Sequence, residues 1–413
     1  MNNVAVQEAS DFRSAGALLN GVMASGAIPG GIVGIGYGAE PATYLRTGTI
    51  AFDDPRPVDD DTLWPIYSMT KPVVGMATML LIEEGGLSLD QPIADFLPAF
   101  GKMQVLTDPL NSLDSRPART SITVRHLLTH TAGFGYTFNI AGPLLDEYLR
   151  LGITPSRMGA SAAGDNTPPT ASGLLEFCNR VASLPLLNEP GTRWFYSIAQ
   201  DVLGGVIELA SGMAFDLYLS EKLFAPLGMT STGFQVAAKD AARLASLYMT
   251  IDDETHAADP GSASVYATPP AFAFGGTGLV SSARDYDRFL VMLLNEGRYD
   301  GREIMPARAV KRGMSNLLPD GTDLSSFIWW PDPATMGMGP SGKNAGFGAC
   351  GRVALAGPDK GTYSWSGAAS TNMFVDPARN LRGSAYINSM STAFTFSHLV
   401  NKALVRDSNA LNR

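Results

Sequence analysis

Ser68-Met69-Thr70-Lys71 sets a hydroxyl and an amine three residues apart. On a helix that spacing stacks both side chains on one face, one turn apart. A serine hydroxyl attacks a carbonyl only when a neighbouring base takes its proton. An amine can be that base where desolvation favours its neutral form. The first amides of a helix lack partners inside it, so one of them can also hold an oxyanion. Alone the tetrapeptide is weak, and an N-cap serine beside a solvated lysine explains it equally well. Its position after a loop and before a helix strengthens it, and Pro72 suits an early helical turn.

Two further stretches carry usable chemistry. Trp194-Phe195-Tyr196-Ser197 follows Glu189-Pro190-Gly191 and precedes a helix. A phenol near a lysine can serve as general base or proton relay, although a tyrosine among aromatics is usually core packing. Tyr363-Ser364-Trp365-Ser366-Gly367-Ala368-Ala369 alternates large and small residues, as a strand ending in small side chains does. Such an end lets a substrate lie against the backbone and presents N–H donors; close packing on a helix gives the same pattern.

Other combinations weaken on inspection. His126 and His130 are four apart, which suits a metal, but no third ligand accompanies them and no metal is expected. There is no Gly-x-Ser-x-Gly, so the nucleophile elbow of α/β-hydrolases is missing. No phosphate-binding or dinucleotide fingerprint is present, and no cofactor is expected. Cys178 and Cys350 are far apart and read as two buried thiols.

These residues need elements to position them. Residues 8–25 have helical spacing; Gly31–Tyr37 and Tyr44–Phe52 read as a β-hairpin. A helix over Val73–Glu84 follows Ser68. Helical patterns then dominate: Val124–Thr129, Leu174–Ser183, Val202–Ser211, Phe215–Phe224 and Ala238–Met249. Gly- and Pro-rich loops separate them, at Met158–Thr170 and Asp252–Pro270. After Ala283–Asn295, a helix, and a loop over 313–345 come four strand-like runs: Gly351–Ala356, Thr362–Trp365, Asn372–Val375 and Ser384–Asn388. A final helix covers 392–405. Strands near both ends and helices between them predict one antiparallel sheet with a helical insertion. The expected division is 1–67 with 275–413 as the sheet domain and 68–274 as the mostly helical one.

The chain has 413 residues, 45% of them hydrophobic and 17% charged, with a net charge of −9. That composition is globular, and the acidic balance makes nucleic acid or an anionic membrane an unsuitable partner. No apolar run is long enough to span a bilayer and no signal peptide is visible, so cytoplasm is the expected compartment. A homo-oligomer remains compatible with the sequence.

Taken together, the segments resemble the serine β-lactamase and penicillin-binding-protein superfamily, and within it the class C β-lactamase-like family VIII carboxylesterases. The resemblance runs in order through Ser68–Pro72, Gly86–Asp90, Val124–Gly133, Pro190–Ser197, Gly275–Asp285 and Trp365–Gly367. It implies an α/β (α+β) fold of the β-lactamase/DD-peptidase type, an antiparallel sheet flanked by helices plus an inserted helical domain. It implies that Ser68 is acylated, that Lys71 and Tyr196 share the base role, and that the N–H groups of Ser68 and Ala368 form the oxyanion hole. Asp201, five residues after Tyr196, is either a partner behind these groups or an ordinary helix-start acid.

Two departures bear on substrate. The family's frequent Tyr-x-Asn is Tyr196-Ser197-Ile198 here, and Ile198 offers no side-chain hydrogen bond. The Lys-Thr-Gly of β-lactamases and peptidases is Trp365-Ser366-Gly367. Each charged hydrogen bond lost is worth about 1.5–3 kcal/mol, or about 10–10³-fold in affinity. Tryptophan instead supplies an apolar wall, to which Tyr136, Phe138, Trp329 and Trp330 can add, although core packing explains these four at least as well. Trp365, Gly367, Tyr136 and Ile198 are the expected substrate-binding residues. The implied activity is hydrolysis of small, short-chain esters through an acyl-enzyme. The alternatives are acyl transfer to an alcohol or amine, weak β-lactamase or D-amino-acid peptidase action, and, outside catalysis, a binding protein that has kept the cleft.

Overall fold

The computed structural model describes residues 9–154, 170–324, 344–390 and 393–411. Trp329, Trp330 and most of the loops expected at 158–170 and 313–345 lie outside them.

Its largest element is an eight-stranded antiparallel sheet. In chain order the strands are β1 (Gly30–Tyr37), β2 (Thr43–Ala51), β3 (Asp54–Pro57), β4 (Ala345–Phe347), β5 (Arg352–Ala354), β6 (Tyr363–Gly367), β7 (Thr371–Asp376) and β8 (Leu381–Tyr386). Their order across the sheet is β4-β5-β6-β7-β8-β1-β2-β3. The two ends of this set meet where β1 pairs with β8, Val33 opposite Ala385 and Ile35 opposite Gly383.

Alternation along the strands explains why both faces are covered. Ile32, Met373 and Val375 enter the main core, whereas Val33, Ile35 and Phe374 enter a second one. Helix α1 (Arg13–Ala24) brings Ala15 and Leu19 to the second core. The C-terminal helix Ala393–Ala410 adds Phe396, Val400 and Leu404. Strands with apolar residues on successive positions need such cover on both sides.

The main core runs from β1 through the helices between the strands. Helix α2 (Thr70–Glu83) is buried along nearly all its length. It crosses the backbone at Ala349 where Gly75 leaves no room for a side chain; a Cβ there would lie 2.2 Å from the Ala349 carbonyl oxygen. Helices α3 (Val124–Leu128), α4 (Ala199–Ser211) and α5 (Ala283–Leu294) complete the frame. α5 lies against the sheet and carries Asp287, whose two carboxylate oxygens accept from Arg382 Nε at 2.8 Å and Nη2 at 2.9 Å. The Arg382 guanidinium also presses on Gly36, where a Cβ would meet it at 2.4 Å.

One expected helix is not there. Ala238–Met249 forms a short 3-10 turn, Ala238–Arg243, and then the first arm of a hairpin, Leu247–Ile251 against Glu254–Asp259. Asp252 and Asp253 turn it with φ of +50° and +64°, the left-handed conformations that a tight hairpin requires. The same hairpin replaces the first part of the loop expected over 252–270. Among the described residues no single helix is long and apolar enough to cross a membrane.

Candidate active site

Ser68 lies on a 3-10 turn, Tyr67–Met69, directly ahead of α2. Tyr67 has φ of +46°, a conformation that a bulky residue adopts only when its surroundings enforce it. The enforcement is visible. The Ile66 N–H donates to the Leu279 carbonyl oxygen at 3.0 Å and the Ile66 carbonyl accepts from Thr371 Oγ1 at 2.9 Å. Tyr286 donates its hydroxyl to the Met69 carbonyl at 2.8 Å, and Thr70 Oγ1 accepts the Leu279 N–H at 3.1 Å. The turn that carries Ser68 is thus pinned by β7, α5 and the segment ahead of α5.

Lys71 is the second residue of α2 and has no exposed surface. Its Nζ donates to Ser68 Oγ at 3.1 Å and to the Gly276 carbonyl at 2.8 Å. It also lies 4.6 Å from the Tyr196 ring centroid and 5.3 Å from that of Tyr136. Tyr196 donates its hydroxyl to Ser68 Oγ at 2.7 Å. The hydroxyl, amine and phenol found in sequence therefore converge at Ser68 Oγ, and Ser68 as a residue is only 7% exposed.

Gly276 connects Lys71 to Asp201. Its N–H donates to Asp201 Oδ1 at 2.9 Å while its carbonyl receives the amine. Asp201, in the first turn of α4, is completely buried, and its Oδ2 has no hydrogen-bond partner among the described residues. Burial pushes its carboxyl up to about 6 against the opposing pull of the Gly276 N–H and the Lys71 charge. A side chain on Gly276 would strike the Tyr136 hydroxyl at 2.8 Å and Asp201 Oδ2 at 3.0 Å. Asp201 is thus a helix-start acid that also stands behind Lys71 through the Gly276 peptide.

The third stretch ends beside the turn that carries Ser68. β6 carries Trp365, whose ring lies 5.6 Å from Tyr196 and 5.2 Å from Phe347. Gly367 must be glycine, because a Cβ there would lie 2.3 Å from the Ile66 carbonyl oxygen and 2.2 Å from Thr371 Oγ1. Ala368 follows in an exposed turn between β6 and β7.

The aromatic residues around the site differ in depth. Tyr136 is only 1% exposed, and Ile198 has no exposed surface and belongs to the main core. Tyr136 stands edge-on to Tyr196 at 5.2 Å. Phe138 is the exposed member, at 48%, and stacks on Tyr136 at 4.8 Å.

The histidines do not form a metal pair. His126 Nδ1 accepts the Thr123 N–H in a capping box that starts α3, and burial pushes its imidazole down to about 4. His130 lies beyond α3 and packs 4.7 Å from the Tyr196 ring. Its spacing from His126 was legible, but its link to Tyr196 had no sequence signal. No metal-binding cluster occurs among the described residues. Both cysteines are buried and unpaired, and burial pushes the Cys350 thiol up to about 12.

Comparison with known proteins follows the same lines. The family model described as Beta-lactamase matches residues 16–406. An uncharacterized protein of Mycobacterium tuberculosis is 35% identical over 326 residues, covering 79% of this chain and 77% of that one. Esterase EstB of Burkholderia gladioli is 32% identical over 348 residues, with 79% and 77% covered. Among solved structures, EstCE1, described as a hydrolase with promiscuous acyltransferase activity, superposes with a TM-score of 0.74 at 24% identity, covering 96% of this chain and 98% of that one.

Proposed function

The chain belongs to the Beta-lactamase family, and from that premise we propose that it is a serine carboxylesterase, of the family VIII type, acting on small, short-chain esters. One observation carries the reading: Ser68 Oγ stands within hydrogen-bond reach of both the Lys71 amine and the Tyr196 phenol. The esterase activity named for EstB at 32% identity supports the substrate class.

In this reading Ser68 Oγ attacks the ester carbonyl. Its proton passes to the Lys71–Tyr196 pair. The carbonyl oxygen becomes an oxyanion held by the N–H groups of Ser68 and Ala368. The tetrahedral adduct collapses, the C–O bond to the alcohol breaks, and the pair returns the proton to the departing alkoxide. Water attacks the acyl-enzyme by the same steps in reverse order and releases the acid. Every group required is a side chain or amide of this chain. Trp365, Gly367 and Phe138 bound the acyl part. A tryptophan where a cation would receive a substrate carboxylate favours neutral esters over β-lactams and peptides.

A second reading, acyl transfer to an alcohol or amine, draws on the description of EstCE1 and on the burial of Ser68 and Lys71. Limited access of water leaves an acyl-enzyme time to meet another acceptor. Product analysis with and without added alcohol separates the two.

The nucleophile is tested by mass spectrometry after an activated ester or a serine-reactive phosphonate. One adduct on the peptide containing Ser68 is expected, absent in Ser68→Ala together with ester hydrolysis. An adduct on another serine would overturn the assignment.

A further inference from the structure

Tyr196 sits in Arg193–Ser197, a stretch that belongs to no helix or strand. No backbone ladder therefore fixes the phenol that reaches Ser68 Oγ at 2.7 Å. A single residue receives the amides on either side of it. The Phe195 N–H donates to the His130 carbonyl oxygen at 2.8 Å, and the Ser197 N–H donates to His130 Nδ1 at 3.1 Å. Between those two anchors the imidazole ring packs on the Tyr196 ring at 4.7 Å. We infer that His130 is a positioning residue, which clamps the backbone on both sides of Tyr196 and so keeps its hydroxyl on the nucleophile. The inference rests on the roles proposed above for Ser68 and Tyr196.

The surroundings explain why a histidine does this. His130 has no exposed surface, and its ring touches Trp194 at 5.6 Å and Phe347 at 5.5 Å as well as Tyr196. The position needs a flat, largely apolar ring that also accepts a hydrogen bond on one edge. Phenylalanine has the ring without the acceptor. Asparagine has an acceptor at the equivalent place without the ring. An amide N–H always donates, so Nδ1 is the unprotonated nitrogen and the neutral ring keeps its proton on Nε2. Ser197 Oγ stands 3.1 Å from the same Nδ1. Burial, with the Lys71 charge nearby, holds the imidazole well below its ordinary value, so the acceptor persists through the neutral range. Nε2 has no hydrogen-bond partner among the described residues. A residue present only to fill space would not leave a buried N–H unpaired; the edge that matters is the one facing Ser197.

A double-mutant cycle tests this. His130→Phe keeps the ring and removes the acceptor; kcat for a short-chain ester is expected to fall about 10–100-fold with KM within about threefold. His130→Asn restores the acceptor and is expected to recover most of that loss. In a Tyr196→Phe background, where no phenol hydroxyl remains to be placed, His130→Phe is expected to cost less than about threefold. An equal loss in both backgrounds, or a loss confined to KM, would overturn the inference while leaving the site intact. Where His130→Phe does not fold, His130→Asn decides: a loss of more than about tenfold in soluble, folded protein overturns it. Full activity in Ser68→Ala or Tyr196→Phe would instead overturn the reading of the site, and this inference with it.

Discussion

Arg382 and Lys71 are both buried without exposed surface, yet only Arg382 meets a carboxylate. In the sheet, Arg382 spends its donors on both oxygens of Asp287 and on the carbonyls of Gly38 and Glu40. At the site, Lys71 has a hydroxyl, a carbonyl and the faces of two tyrosine rings. Among the described residues no carboxylate forms an ion pair with it. Removing either cation from water costs several kcal/mol. At Arg382 that cost is offset, and the group is fixed and inert. At Lys71 no carboxylate among the described residues is in direct contact, and Asp201 is reached only through the Gly276 peptide. The difference separates a charge that holds the fold from one that the proposed mechanism uses on a substrate.

Breaking each cation should show it. Lys71→Ala is expected to lower kcat by about 10²–10⁴ with the unfolding free energy unchanged or higher. Arg382→Met leaves the Asp287 carboxylate without its partner and should cost about 3–5 kcal/mol of stability, with turnover per folded molecule near that of the parent. Urea unfolding and active-site titration measure the two. If Lys71→Ala were the more destabilising change, the contrast would be lost.

Asp201 sharpens the comparison, since it is the buried charge behind Lys71. Its carboxyl is raised from 3.8 to about 6, so the folded chain holds that proton more tightly than the unfolded one. The associated stability is present below pH 3.8 and is lost as pH rises to about 6. The difference is worth about 3 kcal/mol. Asp201→Asn, which keeps an acceptor for the Gly276 N–H, is expected to be more stable than the parent above pH 6, with the gain vanishing near pH 4. Thermal unfolding across pH checks it; an equal gain at every pH would point away from ionisation. The smallest effect is expected at Phe138, half-exposed on the rim. Phe138→Ala removes about 1 kcal/mol of apolar contact, raising KM about fivefold for the longer acyl chains with kcat unchanged. A series of p-nitrophenyl esters reads this out.

The groups that touch the reacting oxygen were legible in the sequence because their side chains are chemically distinctive and their motifs lie in order. Ser68 and Lys71 are joined by helical periodicity, and the sheet followed from strand patterns near both ends. What supports those groups was less legible. Gly276 acts through its carbonyl and amide, which every residue possesses. His130 acts through a contact with Tyr196 that only the folded chain creates. The hairpin over Leu247–Asp259 was missed: the start of its first arm, to Met249, reads as the end of a helical run, and its second arm falls in an expected loop. Adjacent Asp252 and Asp253 between two short alternating arms were the available turn signal. Tyr136 and Ile198, expected at the substrate, are buried, as Lys71 is.

The pairing of β1 with β8 also governs when the protein can begin to act. As the polypeptide leaves the ribosome, β1 emerges early, but its partner comes only after the intervening helices and strands have been made. Thr371, which fastens the turn ahead of Ser68, is delivered in the same late stretch. Until then β1 has an unpaired edge that invites aggregation, and the serine has no finished cradle. Translation itself therefore acts as a safety catch: no nascent chain becomes a hydrolase before nearly all of it has been synthesised.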